Sequence, residues 1–254
     1  MNNALARRLG AEALGTFILT FFGGAAAIMT TGQSDASLLV PLAFGLALFT
    51  AINVVGPISG AHVNPTVTLA LAIRGRFAWR DVPGYVLAQL VGGLVAGAVL
   101  FFTYGNNGVK VGLATTHVQA HASTEVLIAS LIAEALGTFL LCSAVIALTD
   151  PERGGTAPVA TGIGLSLTVG ALAFGGLTGG SFNFARTFGP EIVNALAHGT
   201  TDWPHIWIYL LGPVIGAVIA AWANKALTGD RDSAVKATVP APGPNQRATA
   251  AVGK

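Results

Sequence analysis

Six stretches of this chain are apolar and long enough to cross a bilayer: roughly 9–31, 38–56, 81–104, 125–149, 157–177 and 203–226. A membrane core takes about 20 mostly apolar residues per helix. Two shorter apolar pieces, about 65–73 and 184–197, are too short to cross and read as re-entrant segments. Composition removes the soluble alternative. Only 9% of the residues are charged and 53% are hydrophobic, with a mean hydropathy of +0.68. A water-facing domain carries roughly 25% charged residues. The 33 glycines suit membrane helices, which approach closely through small residues. The start, with Arg7 and Arg8 before an apolar run, has the outline of a signal peptide. The run continues to about Thr31, past the roughly 7–15 residues of such a segment, and reads as the first span.

Positive charge orients the spans. With six crossings, both ends and the second and fourth connections share one side. That side holds Arg7, Arg8, Arg74, Arg76, Arg80, Arg153, Lys225, Arg231, Lys236, Arg247 and Lys254, leaving Lys110 and Arg186 opposite. Both termini are therefore expected in the cytoplasm. The net charge of +2 gives no footing for nucleic acid. Cys142 is the single cysteine, so an internal disulfide is excluded, and it reads as a small core residue. The region after about Ser233 has no hydrophobic period and reads as a disordered tail over 229–254.

The chain is also duplicated. Ala-Glu-Ala-Leu-Gly-Thr-Phe stands at 11–17 and, unchanged, at 133–139, an offset of 122 (134 minus 12). A second related pair is 59–66, Ser-Gly-Ala-His-Val-Asn-Pro-Thr, and 178–185, Thr-Gly-Gly-Ser-Phe-Asn-Phe-Ala. Each unit, about 5–110 and 125–228, holds three spans and one short piece. Three is odd, so the halves insert with opposite topology, and sites form at the midplane where interrupted helices meet. The expected fold is all-α: six transmembrane helices plus two re-entrant half-helices in an inverted repeat, one domain over 1–228.

Both short pieces open on a helix-start signal. Asn64 and Asn183 are N-cap residues, and Pro65 takes the favoured first helical position. Gly-rich connections precede them, and irregular backbone at membrane depth must be buried in protein or line a wet cavity. Two half-helix N-termini meeting at the centre each carry about half a positive charge. A capping asparagine still presents its NH2 as a donor. Such a centre suits a neutral oxygen acceptor and repels a bare cation.

The boxes Asn64-Pro65-Thr66 and Asn183-Phe184-Ala185, with Arg186-Thr187-Phe188-Gly189-Pro190 after the second, resemble the paired Asn-Pro-Ala boxes of the major intrinsic proteins, the aquaporin and glycerol-facilitator family. The resemblance covers about 5–228. It departs at Thr66, which adds a hydroxyl near the pore wall, and at Phe184, which adds a ring where the family's two prolines meet. The resemblance implies a passive channel for water and small neutral solutes. It implies a homotetramer in a plasma or inner membrane, without a cofactor or an enzymatic reaction. It makes Arg186 the arginine of an outer selectivity filter, and ungapped matching places Phe44, Ala171 and Gly180 at its other walls. Water-specific members carry a histidine where Ala171 stands. Glycerol-conducting members carry an aspartate where Thr187 stands. The missing histidine implies a wider, more apolar filter.

Three further features leave alternatives. Glu12 and Glu134, at equivalent repeat positions, read either as ion or proton couplers or as buried carboxyls accepting loop N–H groups; the resemblance favours the second. His62 either lines the cytoplasmic pore mouth, as in the family, or bonds to loop carbonyls. His117 and His121 lie in an outer loop with no evident third ligand, which speaks against a metal site. An ion-coupled transporter would also use inverted repeats, but the central boxes supply asparagines and no acid. A glycerol or small-solute facilitator with little water selectivity and a non-conducting scaffold of the same fold are the remaining alternatives.

Overall fold

The structure, a computed structural model, describes residues 3–118, 122–150 and 159–229. The expected tail from residue 230 onward, His121 and Arg153 lie outside those residues. Among the described residues eight α-helices follow in order: α1 (Asn3–Thr30), α2 (Ala36–Ser59), α3 (Pro65–Ile73), α4 (Val82–Lys110), α5 (Thr124–Leu148), α6 (Val159–Thr178), α7 (Phe184–Leu196) and α8 (Ile206–Thr228). Short 3-10 turns, Trp79–Asp81 and Trp203–His205, lead into α4 and α8. Six helices meet the length and hydropathy of membrane spans, and α3 and α7 are the two short ones.

The two repeats interlock. Within each repeat the long helices pack in the same order, α1 on α2 and α4, and α5 on α6 and α8. The half-helices cross over: α3 packs chiefly on α8, and α7 on α4. Glycine makes these approaches possible. A Cβ on Gly93 or Gly189 would collide with the backbone of the facing helix at the α4–α7 crossing, and one on Gly216 with the Ala135 carbonyl at the α5–α8 crossing. Backbones this close gain dispersion contacts that lipid, as apolar as the side chains, cannot replace by a hydrophobic drive.

One end of the bundle is tied by ion pairs. Arg8 on α1 lies 3.0 Å from Asp81, and Arg76, past the end of α3, lies 3.3 Å from Asp150, past the end of α5. The start of α1, both connections and the end of α5 are thus gathered at one face.

Candidate functional site

The repeated heptapeptide is explained by what it holds. Glu12 accepts hydrogen bonds from the His62 and Val63 N–H groups at 2.9 and 2.7 Å. Glu134 does the same for Ser181 and Phe182, at 3.0 and 2.7 Å. Three residues after each acid comes the heptapeptide's glycine. A side chain at Gly15 would occupy the space of Val63, and one at Gly137 that of the Phe182 ring. Val63 and Phe182 adopt φ of 45° and 53°, the left-handed region that costs a non-glycine residue about 1–3 kcal/mol and persists only where its surroundings impose it. The acid fixes the loop's N–H groups and the glycine seats its side chain. Tyrosines complete each cradle: Tyr85 donates to the Ser59 carbonyl at 2.8 Å, and Tyr209 to the Thr178 carbonyl at 2.9 Å. The two acids are fully buried, and every hydrogen bond to their carboxyl oxygens comes from an N–H or O–H donor.

The cradled loops bring the two boxes into direct contact. Asn64 caps α3 through its side-chain oxygen, which accepts from the Thr66 N–H at 2.9 Å, and its Nδ2 donates to the Phe182 carbonyl at 2.7 Å. Asn183 caps α7 by accepting from the Ala185 N–H at 3.0 Å, and its Nδ2 donates to the Val63 carbonyl at 2.9 Å. Each NH2 has two hydrogens, so one remains for a visitor. The N-termini of α3 and α7 therefore meet, each asparagine bonded to the other repeat.

A cavity of about 720 Å³ runs along this junction, from Arg186 and Phe44 at one end to Arg76 and Asp150 at the other. Asn64, Asn183, Gly180 and His62 border it. Its apolar wall comes from matching helix rows four residues apart, Phe44, Leu48 and Ile52 on α2 and Val159, Ile163 and Leu167 on α6. Ala171 continues the α6 row one turn further, behind Gly180, whose Cβ position would lie 3.5 Å from the Ala171 methyl. It is not itself among the residues bordering the cavity.

Arg186 is 4% exposed. Its guanidinium donates to the Ala114 carbonyl at 2.8 Å and lies 4.8 Å from the centroid of the Phe44 ring. Its Nε has no partner among the described residues. The charge is thus held between a carbonyl and an aromatic face, with donor capacity left over. His62, at the matching place to Ser181, borders the cavity, shares a 3.1 Å contact with the Thr68 hydroxyl, and packs against Phe77 and Tyr85. The side-chain partner of His62 is thus a hydroxyl on α3, not a loop carbonyl.

The two departures from the paired boxes point away from the cavity. The Thr66 hydroxyl folds back to the Asn64 side-chain oxygen at 2.7 Å. The half-buried Phe184 ring packs with Phe188 and against the Val118, Ile208 and Tyr209 cluster. Neither residue borders the cavity. The Phe184 ring thus packs toward α8 and adds nothing to the cavity wall.

A profile of the family named major intrinsic protein matches residues 2–224. The chain belongs to the major intrinsic protein family. Its relatives include a probable aquaporin, AqpM, of Archaeoglobus fulgidus, 36% identical over 87% of this chain and 97% of that protein. Aquaporin-5 of Sus scrofa is 34% identical over 92% of this chain and 88% of its own length. The solved structure of the aquaglyceroporin from Plasmodium falciparum is similar with a TM-score of 0.78, at 28% identity, over 88% of this chain and 97% of that one. This major intrinsic protein is accordingly a multi-pass membrane channel and not an enzyme.

Proposed function

We propose that the chain conducts water and glycerol-sized neutral solutes passively in single file and excludes ions. The observation that carries the reading is the junction itself. Two half-helix N-termini and two asparagine NH2 groups face one apolar-walled cavity. An oxygen passing there accepts hydrogen bonds, while a cation meets the positive ends of two helix dipoles with no acid beside it. Arg186 adds a full positive charge in one half only, since Val67 takes its place in the other.

Phe44, Ala171, Gly180 and Arg186 form the filter in this reading. An alanine at 171, where water-specific members of the family carry a histidine, supports a filter passing more than water. Relatives named aquaporin and aquaglyceroporin are matched at similar identity, and either specificity is compatible with this fold. We further infer a homotetramer with one pore per subunit in a plasma or inner membrane. The clustering of Lys and Arg on one side supports cytoplasmic termini. An Ala171→His variant tests the filter assignment: the glycerol-to-water permeability ratio of reconstituted protein is expected to fall, and an unchanged ratio removes Ala171 from the filter.

A further inference from the structure

We propose that Asp202, outside the cavity, is a positioning residue for the filter: it holds the loop whose carbonyl fixes Arg186. The inference rests on the reading of Arg186 as a filter wall. Among the described residues, the hydrogen-bond acceptor of this guanidinium is the Ala114 carbonyl at 2.8 Å, so the position of that carbonyl decides where the charge stands over Phe44. Ala114 belongs to no helix. It follows α4 in a loop where Leu113 and Ala114 adopt φ of 48° and 61°. Two successive left-handed residues that are not glycine persist only where surrounding structure imposes them.

Two anchors impose this loop from beyond Ala114. The Thr116 hydroxyl meets the Thr187 hydroxyl, on the residue after Arg186, at 3.0 Å. The Val118 N–H donates to Asp202 Oδ2 at 2.8 Å, while the Val118 side chain is buried against Ile208 and Tyr209. Asp202 is in turn held rigidly. Its Oδ1 contacts His205 Nδ1 at 2.6 Å, and its own N–H donates to Glu191 Oε1. Glu191 lies on α7, the helix that carries Arg186. The carboxylate thus ties the start of α8 to the loop that bonds the arginine, while the backbone N–H of the same residue holds it to the half-helix.

The duplication separates this role from a fold requirement. Trp79 and Trp203, and Tyr85 and Tyr209, stand at one common spacing, and at that spacing the partner of Asp202 is Ala78. The turn Trp79–Asp81 forms with Ala78 as its N-cap residue and no side-chain cap. A carboxylate is therefore unnecessary for the turn. It occurs only in the repeat that also carries the arginine, where it reaches the arginine's loop. A site whose support is loosened by about an ångström loses selectivity before it loses its fold.

The test uses the full chain in proteoliposomes, with water and glycerol permeabilities from stopped-flow light scattering and thermal unfolding recorded beside them. Asp202→Ala is expected to raise the glycerol-to-water ratio about threefold, and Asp202→Asn, which keeps an oxygen toward the Val118 N–H, to restore it to within about 1.5-fold of the parent. Folded Asp202→Ala protein with the parent ratio overturns the proposal, and so does a failure of Asp202→Asn to restore it. If Asp202→Ala does not fold, Asp202→Ser, one bond too short for the same contact, replaces it. Arg186→Val runs in parallel. A shift with Arg186→Val but none with the Asp202 variant sinks this proposal alone; no shift with either also sinks the filter reading.

Discussion

Replacing Glu12 by glutamine takes an acceptor from a group that serves three donors. The carboxyl receives the His62 N–H on Oε1 at 2.9 Å, and the Val63 N–H and Gln89 Nε2 on Oε2 at 2.7 and 2.8 Å. A glutamine offers one oxygen and an NH2. If the oxygen keeps the His62 N–H, the NH2 faces two donors. Gln89 can relieve one of them by turning its amide, since its Oε1 has no partner among the described residues. The Val63 N–H then stays buried and unpaired, which costs about 1–3 kcal/mol. That lowers the folded-to-unfolded ratio by about 5- to 150-fold, and Glu12→Ala, which abandons all three donors, lowers it further. The assay is thermal unfolding in detergent by fluorescence-detected size exclusion, paired with water permeability and cation flux per folded channel. The expected result is a clear drop in unfolding temperature, with ion exclusion intact. Parent-like stability combined with altered cation flux would refute the structural role and restore the reading of Glu12 as an ion coupler.

Three further perturbations follow from the same geometry. Gly137→Ala drives a methyl into the Phe182 ring, an overpacking cost of about 1–3 kcal/mol, and displaces the carbonyl that holds Asn64; both unfolding temperature and water permeability should fall. Phe184→Pro should cost about 1–2 kcal/mol of stability by removing the half-buried ring, yet leave water permeability within about twofold, because proline suits the first helical position; a large gain in permeability would show that the ring obstructs the pore. Ala171→His should narrow the filter and depress glycerol flux more than water flux, read from the same osmotic assay.

The chain's periodicity made the scaffold legible. The apolar stretches end within three residues of the observed helices except at the start of α1 and the end of α4, which each run six residues further, and the box asparagines were readable because N-capping is a local signal. The heptapeptide announced duplication, but its purpose was hidden. Nothing local says that Glu12 and Gly15 serve Val63, since the contact spans some fifty positions. Val63 and Phe182 carry no mark of their left-handed backbone, because neither is a residue type that prefers it. The face that Phe184 presents on its thirteen-residue half-helix depends on how α7 packs against α4 and α8, a tertiary fact. Nothing local marks Asp202 either; only the contact with Val118, 84 positions away, joins it to the arginine's loop.

The central claim is a passive pore whose centre donates hydrogen bonds to neutral oxygens. Stopped-flow light scattering on proteoliposomes of the pure chain, with sucrose and then glycerol as osmolyte, tests it most directly. The account predicts rapid shrinkage in sucrose, re-swelling in glycerol faster than in empty vesicles, and a proton leak no greater than theirs. Folded protein whose vesicles shrink no faster than empty ones, or that dissipate a proton gradient, would contradict it.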